Sequence, residues 1–170
     1  MPRTLKCALA GLRDISVIET APEGRRPVET NIMSYSDDLV KEVVQRELNR
    51  KGQVYFVHNQ VETMDLAKAH LETLLPGVSI GMAHGQMDER RLVGVMEKFD
   101  NQELDILLAS TIIENGLDLP NVNTLIVDHA TKFGLAQLYQ LRGRVGRGDR
   151  QAYAYFLYHS EKVSGKPEKR

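Results

Sequence analysis

Side chains that could do chemistry are densest in one segment, Gln137-Leu-Tyr-Gln-Leu-Arg-Gly-Arg-Val-Gly-Arg147. At about 100° per residue, a helix puts Gln137, Gln140, Arg144 and Arg147 on one arc, with Leu135, Leu138, Leu141 and Val145 opposite. A helix packed through the leucine arc would hold two amides and two guanidiniums in a row. Between Arg142 and Arg150 four arginines face one acid, Asp149. Arginine is planar, always charged and able to fork onto two phosphate oxygens. Solvation alone needs neither arginine each time nor two glycines that weaken a helix. The row suits an arginine pair acting on a nucleotide bound to another surface; a solvated basic face is the plainer alternative. Arg142 falls toward the apolar arc and reads as a structural ion-pair partner.

Other polar residues follow apolar runs. His58-Asn59 come after Val57, His84-Gly85 after Ala83, Ser110-Thr111 after Ala109, and Asp128-His129 after Val127. In open α/β sheets ligands bind beyond the carboxyl ends of strands, which makes these positions informative. His84-Gly85-Gln86 leads into a predicted helix, whose amides and dipole suit a phosphate. An ordinary strand-to-helix turn fits the same spacing. Ser110-Thr111 offers two hydroxyls for a phosphate, or a plain helix cap. Five histidines without an i, i+4 pair, and one cysteine, Cys7, predict no metal site.

The elements that must position these groups alternate. Strands are expected at Ser16–Glu19, Val28–Met33, Gln53–Val57, Val78–Ala83, Leu104–Ala109, Val122–Val127 and Ala152–Leu157. Ile106-Leu107-Leu108-Ala109 is apolar on both faces, as strands covered on two sides are. Ser36 is placed to cap a helix with Asp37 and Asp38 in its first turn, Arg50 and Lys51 at its end, and a stripe of Leu39, Val40, Val43, Val44 and Leu48. A second helix is expected after Asn59, with Glu62 as in a capping box, and a third from about Asp88. The alternation predicts an α/β fold with a doubly wound, mostly parallel sheet. Residues 1–32 read as an extended connector, 33–160 as the domain, and 161–170 as a flexible tail.

Composition removes several classes. The formal net charge of −1 excludes a globally basic nucleic-acid binder, so any such contact is local. No apolar run reaches the length of a membrane span, and no signal-peptide core follows Met1, which predicts a cytoplasmic protein. Gly143 to Gly148 has the glycine spacing of a phosphate loop, but Asp149-Arg150 stands where Lys-Ser/Thr is required. Asp88-Glu89 opens a helix instead of ending a strand. Neither a phosphate cradle nor a Mg²⁺-holding acid is therefore present, and the chain alone is expected not to hydrolyse ATP.

Gln140-Leu-Arg-Gly-Arg-Val-Gly-Arg147 resembles motif VI of superfamily 2 helicases, and Ser110-Thr-Ile-Ile-Glu-Asn-Gly-Leu-Asp118-Leu-Pro120 resembles motif V. Val54-Tyr-Phe-Val-His-Asn59 is similar to motif IV, His84-Gly-Gln-Met87 to the HGxM element, and Pro2-Arg3-Thr4-Leu5 to the end of motif III. Together with Gly11–Ser16 and Phe133–Arg144 these resemble the group of RecG and the transcription-repair coupling factors. The resemblance implies a second RecA-like lobe of a double-stranded-DNA translocase, working with ATP and Mg²⁺ held mainly by a first lobe. Arg144 and Arg147 match its arginine fingers, and Gln140 the glutamine near the nucleotide. Gly116 and Asp118 match positions that couple ATP to DNA grip. Asn59, His84, Gly85, Ser110 and Thr111 match contacts to the DNA backbone. RNA polymerase and UvrA are implied as partners only through other domains. A RecG-type fork-remodelling lobe and a non-catalytic α/β binding module are the alternatives.

Overall fold

The structure, a computed structural model, describes residues 27–110, 122–146 and 150–159. These contain β1 (Glu29–Ser34), α1 (Asp37–Asn49), β2 (Gln53–Val57), α2 (Met64–Leu74), β3 (Ile80–Ala83), α3 (Glu89–Asp100), β4 (Ile106–Ala109), β5 (Val122–Val127), α4 (Leu135–Gly143) and β6 (Tyr153–Tyr158). Among the described residues the strands form one sheet in the order β1-β6-β5-β2-β4-β3, and every pairing is parallel. The expected strand at Ser16–Glu19 lies outside the described residues.

Alternation along β2 divides the core in two. Val54 and Phe56 pack with Val40, Val44, Met64 and Leu71 of α1 and α2. Tyr55 and Val57 face the other way, into a cluster with Phe99, Leu138 and Leu141 of α3 and α4. Successive strand side chains point to opposite faces, so both faces of this sheet are apolar and both carry helices. Each fully buried Leu- or Phe-sized side chain contributes roughly 1.5–3 kcal/mol.

The first helix follows its sequence signals. The Ser36 hydroxyl accepts the Leu39 amide at 3.0 Å, and Val40, Val43 and Val44 are buried. Arg50 does more than balance the dipole: its Nε donates to the buried Glu47 at 2.7 Å and its Nη1 to the Gln151 carbonyl at 3.0 Å. That pairing ties the end of α1 to the start of β6.

Elsewhere local signals yield to tertiary contacts. No side chain caps the second helix; the chain enters through a 3₁₀ turn at Val61–Thr63, and Glu62 makes no capping box. β3 and β4 start two residues later than expected. The Ser79 carbonyl accepts the amides of Asp105 at 2.9 Å and Ile106 at 3.0 Å, and the Ser79 amide donates to Asp105 Oδ2 at 3.0 Å. That knot replaces the first rungs of the ladder.

The largest correction concerns α4. It ends at Gly143 with Arg144 as its C-cap, so the expected helix through Arg144 stops short of the row read from sequence, and Arg147 lies outside the described residues. Gly146 turns the chain with φ of +82°, and a Cβ there would lie 2.6 Å from Ala152 Cβ, so only glycine fits. Gln137 leaves the proposed row as well, because its side chain turns back to accept the Gly134 amide at 3.0 Å. Leu138, Leu141 and Val145 are buried as expected, whereas Leu135 is exposed.

Candidate functional site

The parallel sheet has a carboxyl edge and an amino edge, and the sequence-derived residues divide between them. At the carboxyl edge the strand ends are tied together. His58 donates its amide to Ala109 at 2.9 Å, Ser110 to Ala83 at 3.1 Å, and Asp128 to Val57 at 3.0 Å. Because β4 lies between β2 and β3, this places Asn59, Ser110 and His84-Gly85 side by side. Neighbouring strands are about 4.8 Å apart, so the three positions cover about 10 Å of rim. Asn59 and Gly85 are exposed, His84 is half-buried, and Ser110 is buried.

The turn after β3 limits how a phosphate could sit there. Gln86 donates its amide to His84 Nδ1 at 3.2 Å, and Met87 to the His84 carbonyl at 3.1 Å. α3 begins at Glu89, capped by the Asp88 carboxylate, which accepts the Arg90 amide at 3.4 Å. Two acids thus occupy the positive end of the helix dipole. The Arg90 amide is thus already occupied at the start of α3, and Gly85 stands exposed in the turn before it.

Arg144 lies at the opposite edge. α4 runs antiparallel to β5, carrying the chain back about 13 Å over its nine residues. The Gly146 amide then donates to the carbonyl of Val122, the first residue of β5, at 3.0 Å. Arg144 is half-buried there. Arg142 is buried, with Nη1 3.5 Å from Thr30 Oγ1 and its guanidinium 5.0 Å from the centre of the Tyr139 ring. It serves the packing of α4. Gln140 is exposed. Thr111, Gly116, Asp118 and Arg147 lie outside the described residues. β4 ends at Ala109, with Ser110 at the carboxyl edge, and β5 opens at the amino edge with Val122; most of the segment that resembles motif V lies between them in sequence, outside the described residues.

A cluster that sequence spacing missed occupies the carboxyl edge. Asp128 accepts from His159 Nε2 at 2.7 Å, from the His129 amide at 2.9 Å, and from His58 Nδ1 at 3.3 Å. His58 Nε2 is 2.7 Å from Thr63 Oγ1. The rings of Tyr35, His159 and His129 form a stack, with centroids 4.6 and 3.8 Å apart. Burial raises the Asp128 pKa, but the hydrogen bonds from His58 and His159 and the charges of His129 and His159 together bring it below the usual carboxylate value. Burial lowers that of His129, against the pull of Asp128. Separations of 70 and 31 residues hid these partners from any local pattern.

The doubly wound parallel sheet, with an arginine segment at one edge and polar strand ends at the other, defines a RecA-like helicase lobe. The family described as Helicase conserved C-terminal domain matches residues 35–149, and the chain belongs to it. It is 51% identical over 163 residues to the transcription-repair-coupling factor of Staphylococcus haemolyticus (strain JCSC1435) and 53% identical to that of Bacillus subtilis (strain 168). Each match covers 96% of this chain and 14% of the relative, so the chain spans about one-seventh of those proteins. Among solved structures it is similar to RecG bound to a three-way DNA junction, with a TM-score of 0.70 and 33% identity over 84% of this chain and 19% of that one. The C-terminal domain of the DEAD-box protein Dbp5 shares the fold, with a TM-score of 0.59 and 18% identity over 79% of this chain and 78% of that one. No helix among the described residues is long and apolar enough to cross a membrane.

Proposed function

We propose that this chain is the second RecA-like lobe of an ATP-dependent double-stranded-DNA translocase of the transcription-repair coupling type. Arg144 and Arg147 complete the pocket of an ATP held with Mg²⁺ on a first lobe, with Gln140 beside it. Asn59, His84, Gly85 and Thr111, with Ser110 beneath them, meet the DNA phosphate backbone. Gly116 and Asp118 link one event to the other. The observation that carries this reading is that Arg144 stands at one edge of the sheet and Asn59, His84, Gly85 and Ser110 at the other. Movement of the lobe as a unit then changes both contacts together.

Mg²⁺ bound with ATP on the first lobe would offset phosphate charge there, and the guanidiniums of Arg144 and Arg147 would add to that at the γ-phosphoryl group. Arginine fingers contribute roughly 10³–10⁵ in rate, or about 4–7 kcal/mol of transition-state stabilisation. Phosphate contacts carry no sequence information, so recognition of RNA polymerase or UvrA belongs to other parts of such a protein. Residues 1–32 act as the connector between the lobes, 33–160 as the working lobe and 161–170 as a tail. By itself the chain has no ATPase activity.

The test is Arg144→Ala in the intact enzyme, with DNA-stimulated ATP turnover and ATP binding measured separately. Turnover falls by about 10³ or more while the Kd for ATP changes little. An unchanged kcat overturns the assignment. A RecG-type fork-remodelling lobe is the second reading, favoured by the RecG likeness; the higher identity to coupling factors places it behind. Turnover of the intact enzyme stimulated far more by forked than by linear DNA would reverse that order.

A further inference from the structure

We propose that Asp128, His129 and His159 form a binding site for one divalent first-row transition-metal ion of the Zn²⁺ type. The argument starts from topology. β2 and β5 are neighbours, yet the chain leaves β2 for α2 on one face and leaves β5 for α4 on the other. Such divergence opens a crevice at the carboxyl edge, where α/β sheets bind ligands. Here it is a cleft of about 320 Å³ lined by Tyr35, His58, Thr63, His70, Asp128 and His129 among others.

The donor set suits the ion. One carboxylate and two imidazoles form a set of oxygen and nitrogen ligands that Zn²⁺ accepts in a tetrahedral site with one position open. The ligand atoms of Asp128, His129 and His159 all lie within 4.8 Å of one another. Bonds of about 2.0–2.1 Å place tetrahedral ligand atoms about 3.3 Å apart. The present separations fall on either side of that value: 2.7 Å from His159 Nε2 to Asp128 Oδ1 and 3.8 Å from His129 Nε2 to Asp128 Oδ2. Closing on an ion requires the two stacked rings to fan apart. Their side chains are 38% and 36% exposed, and the turn exchanges the stacking of His159 against Tyr35 and His129 for bonds to the ion.

Two further features support the site. His58, buried beside Asp128, donates to the second carboxylate oxygen, the outer-shell partner that orients a metal-binding carboxylate. His129 has a left-handed backbone, φ 49° and ψ 48°, which is uncommon for a residue other than glycine. That turn brings its ring over His159, at the end of a different strand. Metal bound here would clamp the ends of β5 and β6 together and leave its open position toward the cleft.

The experiment is a Zn²⁺ titration of the chain in competition with a chromophoric chelator. One equivalent binds with a Kd of about 10 µM or tighter, and His129→Ala and His159→Ala each weaken it about 10-fold or more. His70→Ala removes the exposed pair of His70 with Asp37, 2.8 Å apart, and leaves Zn²⁺ affinity unchanged. X-ray absorption at the zinc edge of the wild-type chain shows two imidazoles on the ion, which decides the matter even where a variant fails to fold. Absence of saturable binding, survival of binding in both histidine variants, or a spectrum without imidazole overturns the proposal.

Discussion

The Gly146 amide and the Val122 carbonyl, 3.0 Å apart, join the end of the arginine segment to the first residue of β5. This hydrogen bond fixes Arg144 at the amino edge, across the sheet from Asn59 and His84. Gly146 makes it with φ of +82° against the Cβ of Ala152.

Gly146→Ala therefore meets two penalties, an unfavourable backbone region and a 2.6 Å approach to Ala152. Loss of about 1–3 kcal/mol is expected in urea unfolding. With Arg144 in the finger role proposed for it, ATP turnover of the intact enzyme falls too, because Arg144 moves with the turn. Wild-type stability together with wild-type turnover would contradict this role.

At the carboxyl edge, Asn59→Asp and Gly85→Asp place negative charge where DNA phosphates are proposed to lie. DNA affinity of the intact enzyme, measured by fluorescence anisotropy, falls several-fold at low salt and by a similar factor on unrelated sequences. The deficit shrinks as salt rises. ATP affinity without DNA stays at the wild-type value. Equal DNA binding by all three proteins would remove this edge from the interface.

The two leucines of α4 test which side of the helix packs. Leu138 is fully buried and Leu135 is 42% exposed. Leu138→Ala costs about 2–5 kcal/mol, and Leu135→Ala stays within about 0.5 kcal/mol. Chemical denaturation distinguishes them, and equal losses would refute the orientation.

Asp37 supplies a pH test. Hydrogen bonds from His70 and then Tyr35 hold its carboxyl below the usual value, although the side chain is about half exposed. Since the folded pKa is the lower one, the unfolded chain binds more protons in the window between the two. The stabilisation is present above the ordinary carboxylate pKa of about 4 and disappears as pH falls through the folded pKa. Asp37→Asn narrows the stability gap from wild type across that acid window. Solvent screening keeps the effect small. A gap independent of pH between about 2 and 5 would show that these hydrogen bonds do not hold the proton off.

Much was legible without coordinates. Apolar runs gave the parallel strands, because a strand buried on both faces can hardly be written otherwise. Ser36 gave the start of α1 because capping is local. The arginine segment and the polar strand ends marked candidate nucleotide and DNA contacts, because such chemistry is compressed into a few consecutive residues. Asn59, His84 and Arg144 could each be named from their own neighbourhood.

Only the fold decided where they stand relative to one another. Helical periodicity aligned Arg144 with Arg147, but α4 stops at Gly143, and Gly146 turns the chain with a positive φ where a Cβ would meet Ala152. Gln137 turned back to the Gly134 amide, a donor that periodicity does not count. Asp128, His58, His129 and His159 meet because β2, β5 and β6 end at one edge, and strand order is a property of the whole sheet. Residue types and local spacing set the available chemistry; distances between remote side chains exist only after the sheet has closed.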